Sequence, residues 1–215
     1  MIAEIKRKSP SKGMLNAALS AGAQALAFEA GGAAAISVLT EPEFFSGSIQ
    51  DLMDAAHASK LPLLKKDFHI DPAQLSEARL GGASAVLLIA RALEPQRLKA
   101  LVRAAGDAAL DAVVEVRSER ELQAALDAGA EIVGVNSRDL ETLEVDERVP
   151  RRLMPLIPPG VVGIWESGVR TTADVQRAAD CGADAVLVGS ALSQAADPES
   201  LVRALASVPR QARNG

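Results

Sequence analysis

One cysteine, Cys181, is all that this chain of 215 residues contains, and a lone thiol excludes an internal disulfide. Only two histidines are present, His57 and His69, set apart without metal-ligand spacing, so a site free of metal and cofactor is expected. An excess of positive charge is also missing. With 23 Lys+Arg against 28 Asp+Glu the net charge is −5, which disfavours a nucleic-acid partner. No apolar run approaches the length of a membrane span, and the opening Met1-Ile2-Ala3-Glu4 lacks the basic-then-apolar layout of a signal peptide. The expected location is therefore the cytoplasm, with no membrane contact. Low-complexity stretches and linkers are absent as well, so 48% apolar content in one domain spanning 1–215 is the expected organisation.

What is present is an internal repeat. Four phrases, opening at Gly31, Gly81, Ala128 and Cys181, each run from a helix-ending glycine through a small residue into a short, nearly all-apolar strand. Their starts lie about 50 residues apart, too far for one strand–helix unit and right for two. The intervening strands are read at 61–68, 112–116 and 161–166, and a strand at 2–7 precedes the first phrase. Helical patterns fill the gaps at 17–30, 48–59, 72–80, 95–105, 118–128, 146–156, 172–180 and 198–206. Several open on Asp-Pro, Glu-Pro, Ser or Thr, which suit helix N-termini. Eight strands alternating with eight helices predict an α/β protein with a (βα)8 TIM barrel; an open doubly wound sheet is the alternative that a quarter-period repeat disfavours.

In such a barrel, chemistry sits at the C-terminal strand ends. There the odd-numbered strands carry charge: Glu4 and Lys6 on the first, Lys66 on the third, Glu115 on the fifth and Glu166 on the seventh. Even-numbered strands carry neutral groups, Ser37, Leu87, Asn136 and Gly189. Alternation along the third strand sends Lys65 and Asp67 outward if Lys66 faces the lumen. Converging charges of both signs are costly to bury unless they pair and meet a ligand, so they mark a candidate site.

Two glycine-containing turns add an anion site. Ser167-Gly168 leaves the seventh strand, and Gly189-Ser190 leaves the eighth into a short helical pattern, a pairing suited to phosphate through backbone amides. Of the five aromatic residues, Phe44, Phe45 and Phe68 all follow strand ends on the mouth side, as a planar ligand would need. The run Lys6-Arg7-Lys8 with Lys12 can alternatively be read as a solvated basic tail. In an acidic chain, a local basic cluster better suits a small anion.

These residues together closely resemble indole-3-glycerol phosphate synthase, from Ile2 to about Ala206. The carriers are Ala3-Glu-Ile-Lys-Arg-Lys-Ser-Pro-Ser-Lys-Gly13, Ser37-Val-Leu-Thr-Glu41, Leu64-Lys-Lys-Asp-Phe68, Val114-Glu-Val116, Gly134-Val-Asn-Ser-Arg-Asp-Leu140, Glu166-Ser-Gly-Val169 and Gly189-Ser190. The resemblance implies a barrel of the ribulose-phosphate-binding type and the tryptophan-pathway lyase reaction. In it, a carboxyphenylamino-deoxyribulose phosphate closes its ring and loses carbon dioxide and water. It implies Lys66 as general acid, Lys6 as holder of the substrate carboxylate with a share of the acid duty, Glu4 as the orienting partner of a lysine and Glu115 as base. Asn136 and Glu166 would bond the ribulose chain. Ser9, Pro10, Phe45, Phe68, Leu87, Arg138 and Leu140 would bind the rest of the substrate, and Ser167, Gly168, Gly189 and Ser190 the phosphate. The partner implied is this small phosphorylated substrate, together with association with other enzymes of the tryptophan pathway.

Three departures accompany the resemblance. Lys65 and Trp165 replace residues common in the family, and parity sends both to the helix layer. Family members also carry several dozen residues before the first strand, including an extra helix over the barrel. A chain lacking it is expected to show a wetter mouth, a raised KM and uncovered apolar surface. The nearest rival, phosphoribosylanthranilate isomerase, looks for a cysteine at the end of the first strand, where this chain has Glu4-Ile5-Lys6; a non-catalytic phosphate-binding barrel is the rival from another class.

Overall fold

The computed structural model describes residues 1–211, so residues 212 to 215 of the expected domain lie outside the described residues. Eight parallel strands close into a barrel: β1 (Ile2–Ile5), β2 (Ala35–Leu39), β3 (Leu63–Lys66), β4 (Ala85–Ile89), β5 (Asp111–Val116), β6 (Ile132–Asn136), β7 (Val162–Glu166) and β8 (Ala185–Val188). Each pairs with its sequence neighbours, and β1 pairs with β8 to complete the ring. Between and after them run α1 (Ala21–Ala30), α2 (Ile49–Ala58), α3 (Pro72–Leu80), α4 (Pro95–Asp107), α5 (Glu119–Asp127), α6 (Arg148–Leu153), α7 (Thr172–Asp180) and α8 (Pro198–Ala206).

Local sequence explains these boundaries. Ser48 and Ser118 accept the N–H three residues on, Asp71 and Thr171 form full capping boxes with Gln74 and Asp174, and Asp197 caps α8 ahead of Pro198. The repeat phrase also has a physical origin. Its second residue, Gly32, Gly82, Gly129 or Gly182, has a φ between 85° and 94°, which turns the chain from helix into strand. The first residue has ordinary right-handed geometry in Gly31 and Gly81, so Ala128 and Cys181 can replace it.

Alternation divides the apolar residues between two cores. One lies between strands and helices, where Phe28, Ile36, Val114, Val133 and Trp165 pack. The other plugs the barrel with Leu64, Leu87, Ile89, Val113, Ile164 and Leu187. Each large aliphatic side chain fully buried this way contributes about 1.5–3 kcal/mol. The plug closes the lumen from below and gives the groups above it a dry floor.

The structure corrects several expected boundaries. Residues 17–20 are not helical, because Ser20 is the cap of α1 and its side chain accepts from Ala23 N–H. β1 ends at Ile5, leaving Lys6 just beyond the ladder. The turn after it holds a small antiparallel pairing of Lys8–Ser9 with Gly13–Met14. An additional helical turn, Pro42–Phe45, forms because the Glu41 carboxylate accepts three successive backbone N–H groups, and a 3-10 turn spans Ala90–Ala92.

Candidate active site

Above the apolar plug, β1, β3, β5 and β7 each contribute one inward ionisable side chain: Glu4, Lys66, Glu115 and Glu166. The Lys66 Nζ lies 2.6 Å from Glu166 Oε2, 3.7 Å from Glu4 Oε2 and 3.9 Å from Glu115 Oε2. Lys6 adds a second ammonium, 2.5 Å from Glu4 Oε1. Two cations and three carboxylates thus share one buried layer, with Glu4, Glu115 and Glu166 at most 5% exposed.

Their protonation follows from this crowding. Burial opposes a charge on Lys66, yet the carboxylates of Glu166, Glu4 and Glu115 outweigh it and hold the ammonium far above its ordinary range. Burial also works against an ionised Glu4, but Lys6 and Lys66 overcome it and keep its pKa low. Glu115 goes the other way. Burial first, then the Glu166 charge, push its pKa up to about 7, although Lys66 and Asn136 pull in the opposite direction. Asn136 is fixed for that role: its Oδ1 accepts from Arg138 N at 2.9 Å and from Ser167 Oγ at 2.9 Å, leaving its amide nitrogen for Glu115.

Over this layer opens a cavity of about 330 Å³. All the expected site residues line it except Glu166, which is fully buried. Its carboxylate accepts from the Lys66 Nζ at 2.6 Å. Ser37 is likewise buried below the mouth; Leu39, two residues on with the same parity, lines the cavity in its place. Phe45 and Phe68 line the wall, whereas Phe44 lies behind Phe68, edge-to-face at 6.4 Å. Asp67 reaches the rim, but its carboxylate is held by Thr40 Oγ1 at 2.6 Å and by Lys65 at 3.2 Å.

At the anion turns, Ser167 and Gly168 both have left-handed backbone, φ 68° and 84°. Gly189 has a reason to be glycine that its sequence context did not reveal. A Cβ there would fall 2.1 Å from Glu4 Oε1 and 2.9 Å from Lys6 Nζ. Gly134 does the same for Glu166, whose Oε1 would lie 2.1 Å from an added Cβ. The two glycines hollow out room for the charged layer. Lys12, of the basic cluster read as suiting a small anion, lines the cavity; sequence reasoning missed Ile89, Leu143, Arg170 and Gln194, which line it as well. Ile89 was within reach of the alternation rule; the others sit in loops or a terminal turn without a period.

Solved structures share the fold at low identity. A 3-hexulose-6-phosphate synthase from Salmonella typhimurium superposes with a TM-score of 0.74 at 16% identity, covering 96% of each chain. A thiamine phosphate pyrophosphorylase from Pyrococcus furiosus gives 0.71 at 15%, covering 96% of this chain and 93% of the other. Sequence relatives are far nearer. The indole-3-glycerol phosphate synthase of Parafrankia sp. (strain EAN1pec) is 49% identical over 94% of this chain and 75% of its own length. That of Mycobacteroides abscessus is 47% identical over 99% of this chain and 80% of its own. The family model described as indole-3-glycerol phosphate synthase matches residues 1–205, and the chain belongs to that family.

Proposed function

We propose that this barrel, acting as one domain over 1–215, is an indole-3-glycerol phosphate synthase of tryptophan biosynthesis. It closes the ring of 1-(2-carboxyphenylamino)-1-deoxy-D-ribulose 5-phosphate and releases carbon dioxide and water. The observation that carries this reading is the position of Lys66. It is a protonated amine ringed by three carboxylates at the floor of a pocket with an apolar wall at Phe45, Phe68, Leu87 and Leu140.

Ring closure turns a ketone oxygen into a developing alkoxide, so a proton donor must stand beside it. Lys66 is assigned that role, with Glu166 and Glu4 holding its ammonium in place. Lys6 holds the substrate carboxylate until it leaves as carbon dioxide, and Arg138 adds a second positive charge at the rim. The hydroxyl then takes a proton from the Lys6 ammonium and departs as water, while Glu115 takes the proton whose loss makes the ring aromatic. A carboxyl with a pKa of about 7 suits that transfer, because it takes and releases a proton near neutral pH. Ser9, Pro10, Phe45, Phe68, Leu87 and Leu140 enclose the flat ring, and Ser167, Gly168, Gly189 and Ser190 receive the phosphate.

Among the described residues no helix is long and apolar enough to cross a membrane, and we place the enzyme in the cytoplasm. Association with other tryptophan-pathway enzymes belongs to the same reading and rests on family membership alone. The test is direct: purified protein given the carboxyphenylamino-deoxyribulose phosphate should generate indole fluorescence. A folded protein that yields no product, yet still binds the substrate, would make it a binding barrel instead.

A further inference from the structure

The loop after β7 carries a cation that stands outside the reacting layer. Arg170 follows Gly168 by two residues and lies on the cavity wall. Its backbone N–H donates to Asp174 Oδ2 at 2.8 Å, as does that of Thr171, so the residue is tied to the cap of α7 and the starting point of its side chain is fixed. The same Asp174 carboxylate is taken by Arg177. Among the described residues no carboxylate pairs with the Arg170 guanidinium.

A phosphate monoester brings up to two negative charges near neutral pH, and its expected seat has no positive group of its own. The Ser167 hydroxyl donates to Asn136 Oδ1 at 2.9 Å and is already committed. Backbone amides and the Ser190 hydroxyl are neutral donors. The two ammonium groups below are held by carboxylates, Lys6 by Glu4 at 2.5 Å and Lys66 by Glu166 at 2.6 Å. Arg138 is half-buried, and its Nη1 is bound to Leu143 O at 2.6 Å. Burial first, then the Arg170 charge, hold the Arg138 pKa below its usual value against the pull of Glu4, so the two guanidinium groups stand close enough to repel. Two like charges on one cavity wall, neither paired with a carboxylate among the described residues, are relieved when an anion enters.

We propose that Arg170 is the cation that selects the phosphate of the substrate, its guanidinium closing over the anion seated on the Ser167-Gly168 and Gly189-Ser190 turns. The inference deepens the synthase reading and rests on it. A guanidinium fork meets two phosphate oxygens at once, whereas the exposed Lys12 ammonium, also on the cavity wall, offers only a point charge. No bond forms or breaks at the phosphate, so Arg170 acts on binding and leaves the chemistry at Lys66 and Glu115 alone.

Arg170→Gln tests this at an exposed side chain, where the fold does not depend on the charge. The KM should rise about tenfold or more while kcat stays within roughly threefold of wild type. In titration calorimetry inorganic phosphate should bind the variant more weakly by a similar factor. Anthranilate, which has the ring and the carboxylate but no phosphate, should inhibit variant and wild type equally. Equal phosphate affinity in the two proteins, or an equal loss for anthranilate, overturns the assignment. Failure of the underlying reading looks different: wild-type protein would then form no product from the carboxyphenylamino-deoxyribulose phosphate, whereas the phosphate comparison needs no turnover.

Discussion

Lys65 and Lys66 are neighbours on one strand, the first buried and the second mostly so, both held by carboxylates, yet they serve different ends. Lys65 points into the helix layer, 2% exposed, with Glu77 of α3 at 3.1 Å and Asp67 at 3.2 Å. Lys66 points into the lumen, where three carboxylates surround it and a cavity opens above. Residue type, strand and chemistry of the partners are the same; the parity of a pleated strand alone separates them. Burial and ion pairing therefore do not by themselves identify a catalytic lysine. A ligand-sized space and an excess of carboxylates over what pairing needs are what distinguish Lys66.

The comparison should break most widely at Lys66. Lys66→Ala removes the proton donor and leaves three carboxylates without their shared cation, so kcat should drop at least ~100-fold. Circular dichroism should still report a folded barrel, because the plug and outer core do not involve this side chain. Near-normal kcat in the folded variant would take Lys66 out of the mechanism and reduce it to the status of Lys65.

Glu115 sharpens the comparison through pH. Its pKa of about 7 means that kcat/KM should climb with pH and level off above neutrality, while Glu115→Gln should flatten that rise and lower kcat by at least ~100-fold. Stability has the opposite slope. The folded pKa stands above the unfolded value of 4.5, so the folded state binds the proton more tightly, and stability is lost as pH rises between the two. Glu115→Gln avoids that loss and should be the more stable protein at pH 8, by up to about 3 kcal/mol, in thermal unfolding. A variant less stable than wild type at pH 8, or an unchanged rate of product formation, would count against the assignment.

The same contrast shows what the sequence made legible. Parity and the repeat were readable from local pattern, so the eight strands, the inward side of Glu4, Lys66 and Glu115 and the outward side of Lys65 and Trp165 all followed from alternation. The buried position of Glu166 beside Lys66, and the room that Gly134 and Gly189 leave for Glu166 and Glu4, depend on contacts between strands far apart in the chain. No local period encodes them. The Lys8–Ser9 pairing with Gly13–Met14 and the turn at Pro42–Phe45 lie in loops, where a single carboxylate such as Glu41 decides the conformation.

The smallest expected effect belongs to Lys65. Its removal should cost little because each of its partners keeps other support. Asp67 retains Thr40 Oγ1 at 2.6 Å and the Phe68 N–H at 2.8 Å; against the burial that opposes its charge, the Thr40 hydrogen bond counts for more than the Lys65 charge in holding its pKa low. The Glu77 side chain is 55% exposed and turns to water. A methionine has nearly the length of lysine and fills the same space between β3 and α3, so no unpaired charge is left buried. Replacing a buried ion pair with an apolar side chain of similar volume is often neutral or stabilising, so Lys65→Met should change stability by no more than about 1 kcal/mol in either direction. Catalysis should stay within roughly threefold, because the side chain faces away from the cavity and transition-state contacts are untouched. Urea titration and kcat on the same preparation settle it. If folded Lys65→Met loses much more activity than this, the Lys65–Asp67–Thr40 cluster is setting the position of Lys66 and Phe68, and the division between the two lysines is one of distance from the substrate, not of role.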